Sequence, residues 1–546
     1  MKKILSLLLC ITLLTGCSST APELPRPASE TVSAAALPSA APVSKKTDYV
    51  SRYTAVTEIV LSDNGMTVDG SGETDTVFTS NDIIYYENRD SYASGNPYGE
   101  GTDADKHTAE EADSHTVVNI TAPGAYRITG RLSAGQIRVD LGKDANEDPN
   151  AVVELILDNA DITCTVAPAI LFLNTYECDS NWSDETASPI VDTSTAGANL
   201  ILEGENTVNG AYVAKIFKDK DGEKKLWKQD GAIYSYMSMN VFGPGSLELN
   251  AANEGLDTKL HLTINGGNIT INSQNDGINT NEDDVSVTTI NGGNLTIFAG
   301  LGAEGDGIDS NGYLTINGGN VLSCAKPISD AGLDSSRGSF IHGGTVVAMG
   351  SAMDWAESDS GQVTMNLQFA GQQPAGSEIR ITAEDGREIF RFTPTGKTFR
   401  DFSGLILSDP ALKQGEAYHV FIDGVQMSYT GTDVMRGPGG FGGRPGDMPG
   451  GFDPENMPEG MPEGFGPGQM PGGFDPENMP EDFDPSRIGK RPEGEGRVPP
   501  EGFDPQNIPE ASFGGPGQAG ELSSEKSTGF HMNDMVNFFS GVTAAQ

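Results

Sequence analysis

Between Thr263 and Met349, apolar and polar residues alternate in short runs that return at nearly constant spacing. Thr263-Ile264-Asn265-Gly266-Gly267-Asn268 recurs from Thr289, from Thr315 and, as Phe340-Ile341-His342-Gly343-Gly344-Thr345, from Phe340, at intervals of 26, 26 and 25 residues. After each glycine pair the alternation has period two, as in Asn268-Ile269-Thr270-Ile271 and Asn294-Leu295-Thr296-Ile297. One side of each run therefore faces a core and the other faces water. A second phase keeps the same beat: Ile233-Tyr234-Ser235, Leu256-Asp257-Thr258, Ile278-Asn279-Thr280, Ile308-Asp309-Ser310 and Leu333-Asp334-Ser335. Two phases repeating together predict a stacked solenoid of strands, in which equivalent residues of neighbouring coils lie about 4.8 Å apart.

The pattern extends backwards by residue type through Phe242-Gly243-Pro244-Gly245, Leu202-Glu203-Gly204-Glu205 and Leu157-Asp158-Asn159-Ala160. No run in the repeat region sustains apolar positions at helical spacing. The Gly-Gly and Asp-Gly pairs are expected to supply positive φ at sharp corners. The fold class read from this pattern is all-β, a right-handed parallel β-helix of roughly seven to ten coils over residues 48–350. A β-propeller is excluded because its repeats run to about 40 residues. From 351 to 431 the rhythm changes. Val363–Phe369, Glu378–Ile381, Glu388–Phe392 and Tyr418–Ile422 read as antiparallel strands joined by turns such as Asp385-Gly386 and Asp423-Gly424. A small β-sandwich-like cap fits, because an open last coil would leave backbone groups and core uncovered. Residues 432–546 form a Gly/Pro/Met-rich acidic tail that repeats Pro449-Gly450-Gly451-Phe452-Asp453-Pro454-Glu455 at Pro471; its composition reads as mostly disordered. Its spaced Phe and Met residues can act as stickers for self-association. The apolar stretch from Phe530 to Val542 reads as a strand returning to the cap.

The chain has 34 Lys and Arg against 77 Asp and Glu, a net charge of −43. That balance repels nucleic acid and anionic membrane faces and favours divalent cations. At the start, Lys2-Lys3 precede an apolar run from Ile4 to Leu14 that ends in Leu14-Thr15-Gly16-Cys17. This resembles a bacterial lipobox. The resemblance implies a signal peptide over 1–16, a diacylglycerol on the Cys17 sulfur and a lipoprotein tethered on the extracellular face of the membrane. Residues 17–47 then read as a solvated spacer. Of the remaining cysteines, Cys164 and Cys178 can meet across a turn or stand as lone apolar residues.

Candidate chemistry sits where acids recur at one corner. Glu254 and Asp257, Asp276 and Asn279, Asp306 and Asp309, and Asp330 and Asp334 fall at matching phases. Stacked carboxylates raise one another's pKa or recruit a cation. Calcium suits such a set, because it takes six to eight oxygens and tolerates irregular geometry. The alternative is a solvated acidic edge built from good turn residues. Tyr234, Trp227, Tyr313, Phe298 and Trp355 are candidate platforms for sugar rings. Basic residues are scarce between Ala232 and Gly350: Lys259, Lys326 and Arg337.

Asp276-Gly277-Ile278-Asn279, Gly305-Asp306-Gly307-Ile308-Asp309-Ser310 and the Ile-Asn-Gly-Gly ladder resemble the bacterial extracellular carbohydrate-binding domain family, a calcium-bearing parallel β-helix similar to pectate lyases. The resemblance covers about Ala55 to Gly431, interrupted between Thr79 and Ser114. It implies binding of plant-wall or uronate-containing polysaccharide, with calcium at the corner acids. The chain departs from the family pattern in its acidic tail and at Ala331, where a carboxylate would continue the Glu254, Asp276, Asp306 column. Two other readings stay open. A polysaccharide lyase would need calcium and a base in one groove, for which Lys326 and Arg337 are the candidates. A structural surface stalk would need neither.

Overall fold

The computed structural model describes residues 49–63, 65–86, 105–180, 182–220, 223–327, 329–351, 354–393, 401–432 and 526–545. The leader, Cys17, the spacer and most of the acidic tail lie outside the described residues. What is described is nearly all β, with a five-residue helix at Ala109–Asp113 and a short 3-10 turn at Ala145–Glu147.

From residue 116 to residue 350 the chain makes repeated passes, and each later pass gives one strand to each of three parallel ladders. The first ladder stacks Thr116–Ile120, Gly135–Asp140, Ile170–Asn174, Gly231–Ser235, Glu254–Thr258, Ile278–Thr280, Ile308–Ser310 and Leu333–Ser335. The second runs through Ala198–Glu203, Met239–Phe242, Leu262–Ile264, Val287–Ile290, Tyr313–Ile316 and Gly338–Ile341. The third runs through Glu205–Gly210, Ser246–Ala251, Asn268–Ser273, Asn294–Phe298, Asn320–Cys324 and Thr345–Gly350. The single long strand Val153–Cys164 serves both the second and third ladders, pairing with Ala198–Glu203 and with Glu205–Gly210.

Register is kept by an aliphatic spine. Val118, Ile137, Ile170, Ile233, Leu256, Ile278, Ile308 and Leu333 are consecutive cross-strand partners, and all are buried. A slip of one residue would turn every one of them outward. At roughly 1.5–3 kcal/mol for each fully buried large aliphatic, the spine holds the ladder in a single alignment. Outside the core, asparagines repeat the alignment. The Asn291 amide donates to Asn265 Oδ1 and the Asn317 amide to Asn291 Oδ1, both at 2.9 Å.

The corner glycines divide into two kinds. Gly267, Gly293, Gly319 and Gly344 have φ between 86° and 100°, as the turn argument requires. The Asp-Gly glycines of the first ladder do not use positive φ. A Cβ at Gly277 would lie 2.2 Å from Ile297 Cγ2 and 2.5 Å from the Gly307 carbonyl, and one at Gly307 would lie 1.9 Å from Ser323 Oγ. These positions need the absence of a side chain because backbone and core approach closely there, which corrects the expectation from turn chemistry.

At the far end, Thr345–Gly350 pairs antiparallel with Phe402–Ser408, which also pairs with Thr364–Gln373. Val536–Ala544 adds to Thr364–Gln373 in parallel, and Phe530–His531 adds to Ala417–Ile422. The C-terminal segment thus closes the cap. The third-ladder column Asn272, Phe298, Cys324, Met349 turns from polar to apolar along its length. Phe298, Leu322, Cys324, Val347 and Met349 join the cap's own core with Leu405, Leu407, Phe530 and Phe539.

Candidate metal centre

The first ladder has strands of only three to five residues over its last five passes, and their alternation fixes what faces outward. Ile278 and Thr280 point into the core, so Asn279 points out, and the same holds at each level. The outward column is Tyr234, Asp257, Asn279, Asp309 and Asp334, all in register. Three positions earlier, the same alignment carries Glu254 to Asp276, Asp306 and Ala331. The backbone confirms this: Gly255 N–H donates to the Asp276 carbonyl, Gly277 N–H to that of Asp306 and Gly307 N–H to that of Ala331.

The corner acids also bind one another's backbones. Asp276 Oδ1 accepts from Asp306 N–H at 2.7 Å, Asp306 Oδ1 accepts from Ala331 N–H, and Asp330 Oδ2 accepts from Gly305 N–H at 2.9 Å. Asp276 and Asp306 therefore stand on one edge, each holding the next pass with one oxygen.

At the lower end, Asp230, Glu254 and Asp257 offer carboxylate oxygens within 4.8 Å of one another, and all three residues are buried. The Lys228 ammonium contacts Asp230, and the Asn281 amide donates to Asp257 Oδ1. Glu254 Oε2, Asp257 Oδ2 and Asn279 Oδ1 are buried with no hydrogen-bond partner. A buried acceptor without a donor costs about 1–3 kcal/mol, and a charged one more. Burial first, then the facing carboxylates, push the Glu254 and Asp257 carboxyls well above their ordinary range.

Carboxyls at the upper end are raised too. Burial, then Asp334 and Asp276, raises Asp306 to about 9. Burial, despite the hydrogen bond from Asp306 N–H, raises Asp276 to about 7. Burial and then Asp334 raise Asp354 to about 7. Asp309 and Asp334 are raised as well, chiefly by burial. The unpartnered atoms of Glu254, Asp257 and Asn279 are carboxylate and amide oxygens, with no nitrogen or sulfur ligand among the three. Such a donor set fits a hard divalent cation rather than a thiophilic one.

Asp230, Asp354, Asn281 and Lys228 are members that the repeat pattern does not reveal. Asp230-Gly231 is the same dipeptide as Asp276-Gly277, but it stands one residue further from its apolar anchor Ile233. Asp354 follows the last repeat and has no phase to match. The sugar-platform candidates fall differently. Tyr234 is 5% exposed, packed with Leu171, Leu173 and Tyr236. Trp355 is 7% exposed in the core, and Phe298 lies under the cap. Trp227 pairs with Ile216 in the hairpin of Val213–Lys220 and Glu223–Gln229. Tyr313 is half-buried, with the Arg337 guanidinium 5.2 Å from its ring centre. Arg337 donates to the Asp184 and Asp284 carbonyls, and Lys326 to those of Gly302 and Ala303. Cys164 and Cys178 are free thiols, Cys164 in the core.

Residues 114–371 match the family model described as carbohydrate-binding domain-containing protein. A protein of that description from Acetivibrio thermocellus is 30% identical over 174 residues, 31% of this chain, so the chain spans about half (51%) of that relative's length. A solved structure of a polysaccharide lyase-like protein from C. thermocellum, a gadolinium derivative, aligns with 53% of this chain and 93% of its own at 21% identity and a TM-score of 0.30. The region that carries the ladders and the acidic edge is therefore the region that is similar to carbohydrate-binding domain-containing proteins.

Proposed function

We propose that this chain binds polysaccharide on the outside of the cell through a right-handed parallel β-helix that carries calcium on its acidic edge. The observation that carries this reading is the buried trio Asp230, Glu254 and Asp257, with the unpartnered oxygens of Glu254, Asp257 and Asn279 beside it. The three parallel ladders support the helical stack, and the similarity of residues 114–371 to carbohydrate-binding domain-containing proteins supports a sugar ligand. Glu254, Asp257, Asn279 and Asp230 would hold one ion, and Asp306, Asp309, Asp334 and Asp354 a second. A bound calcium supplies the positive charge that lets an acidic edge meet the carboxylates of a uronate polymer. The Lys2–Cys17 leader supports a lipid anchor on Cys17.

A lyase reading requires a base beside the ion. The Lys326 and Arg337 side chains are instead engaged with backbone carbonyls, so binding without cleavage is favoured. The test is retention on insoluble polygalacturonate and on cellulose, with calcium and with chelator. Calcium-dependent retention without growth of unsaturated-uronate absorbance supports the reading. Equal passage through both columns in calcium would overturn it.

A further inference from the structure

The acid trio already carries a positive charge at its rim. Lys228 is the penultimate residue of one arm of the hairpin, two residues before Asp230, and its ammonium contacts Asp230 Oδ2; the Lys228 side chain is 48% exposed and that of Asp230 4%. Glu254 and Asp257 add their attraction to that of Asp230. Beside that pair, Glu254 Oε2 and Asp257 Oδ2 are buried without a hydrogen-bond partner.

A divalent ion drawn to the same oxygens needs the Asp230 lone pairs that the ammonium occupies, and the two cations repel at that distance. The Lys228 side chain is half-exposed, so its flexible stem can carry the ammonium into water. Asp230 is buried and fixed where Glu254 N–H donates to its carbonyl at 3.2 Å, so it cannot follow. We infer that Lys228 is a displaceable counter-ion, which occupies the trio when no divalent ion is bound and is expelled when one enters. This rests on the calcium reading given above. Occupancy of the site then depends on a competitor that the chain itself supplies at fixed local concentration, which lowers affinity and makes the site respond to calcium over a higher concentration range.

The experiment uses the full chain. Calcium affinity is measured by chelator competition for the wild type and for Lys228→Met, and acetylation of Lys228 by acetic anhydride is followed by peptide mass spectrometry with and without calcium. The expected result is affinity at least about tenfold tighter in K228M, from loss of a charged competitor, and faster wild-type Lys228 acetylation when calcium is present. Equal or weaker affinity in K228M, or acetylation unchanged by calcium, overturns displacement and leaves the calcium reading standing. Absence of calcium binding in both proteins overturns both.

Discussion

At the residue scale, the acidic edge is a set of largely buried carboxyls whose few donors, such as Asp306 N–H on Asp276, do not offset the loss of water. Asp276, Asp306 and Asp354 have carboxyls raised to about 7, 9 and 7. A carboxyl whose pKa is higher folded than unfolded binds more protons in the native state, so stability falls as pH rises between the two values. For the metal-free protein the favourable contribution is whole below the unfolded value of about 4 and is lost by about pH 9. Thermal melts in chelator are thus expected to show Tm declining from pH 5 to pH 9, and saturating calcium to flatten that slope. The same logic gives Glu254→Gln opposite effects in two buffers. In chelator near neutral pH it removes the cost of keeping a buried carboxyl protonated and raises Tm, whereas in calcium it removes a ligand and abolishes the calcium-induced rise. A variant that melts identically to wild type in both buffers would place Glu254 outside any cation site.

At the element scale, three short strands per pass are stable only because each is locked to its neighbours above and below. Gly277 is one such close approach, with Ile297 and the Gly307 carbonyl in the space of a Cβ. Gly277→Ala is expected to cost about 1–3 kcal/mol through overpacking, and Ile278→Ala about 2–5 kcal/mol through a cavity in the spine, both read by urea denaturation. The ladders were legible in the chain because Ile, Leu and Gly return at one period, and the column Asp257, Asn279, Asp309, Asp334 follows from that period alone. Asp230 was hidden by one extra residue before Ile233. Asp354 belongs to no repeat. The burial of Tyr234 and Trp355 depends on Leu173, Tyr236 and the cap, which sequence periodicity does not bring together. The Asp-Gly glycines were visible, but their reason was not, since close approach between passes is a tertiary property.

At the scale of the whole molecule, the apolar flank Phe298, Leu322, Cys324, Val347 and Met349 joins the last passes to the cap, and the far C-terminal strand completes that cap. Phe530 and Phe539 pack edge to face at 4.9 Å within this core, with Tyr429 on both. Truncation before Phe530 would uncover a contiguous apolar surface of the kind that drives association. The shortened chain is expected to melt at lower temperature and to elute as aggregate in size-exclusion chromatography. If truncation before Phe530 has no effect on Tm, the C-terminal strand contributes nothing to the cap.

The most direct test of the acidic edge is calorimetric titration of calcium into metal-stripped protein at pH 7.5, repeated with Glu254→Gln and Asp257→Asn combined. The account expects saturable binding by the wild type, with proton release as the raised carboxyls ionise, and loss of at least one site in the double variant. Absence of saturable binding, or identical isotherms for the two proteins, would contradict it.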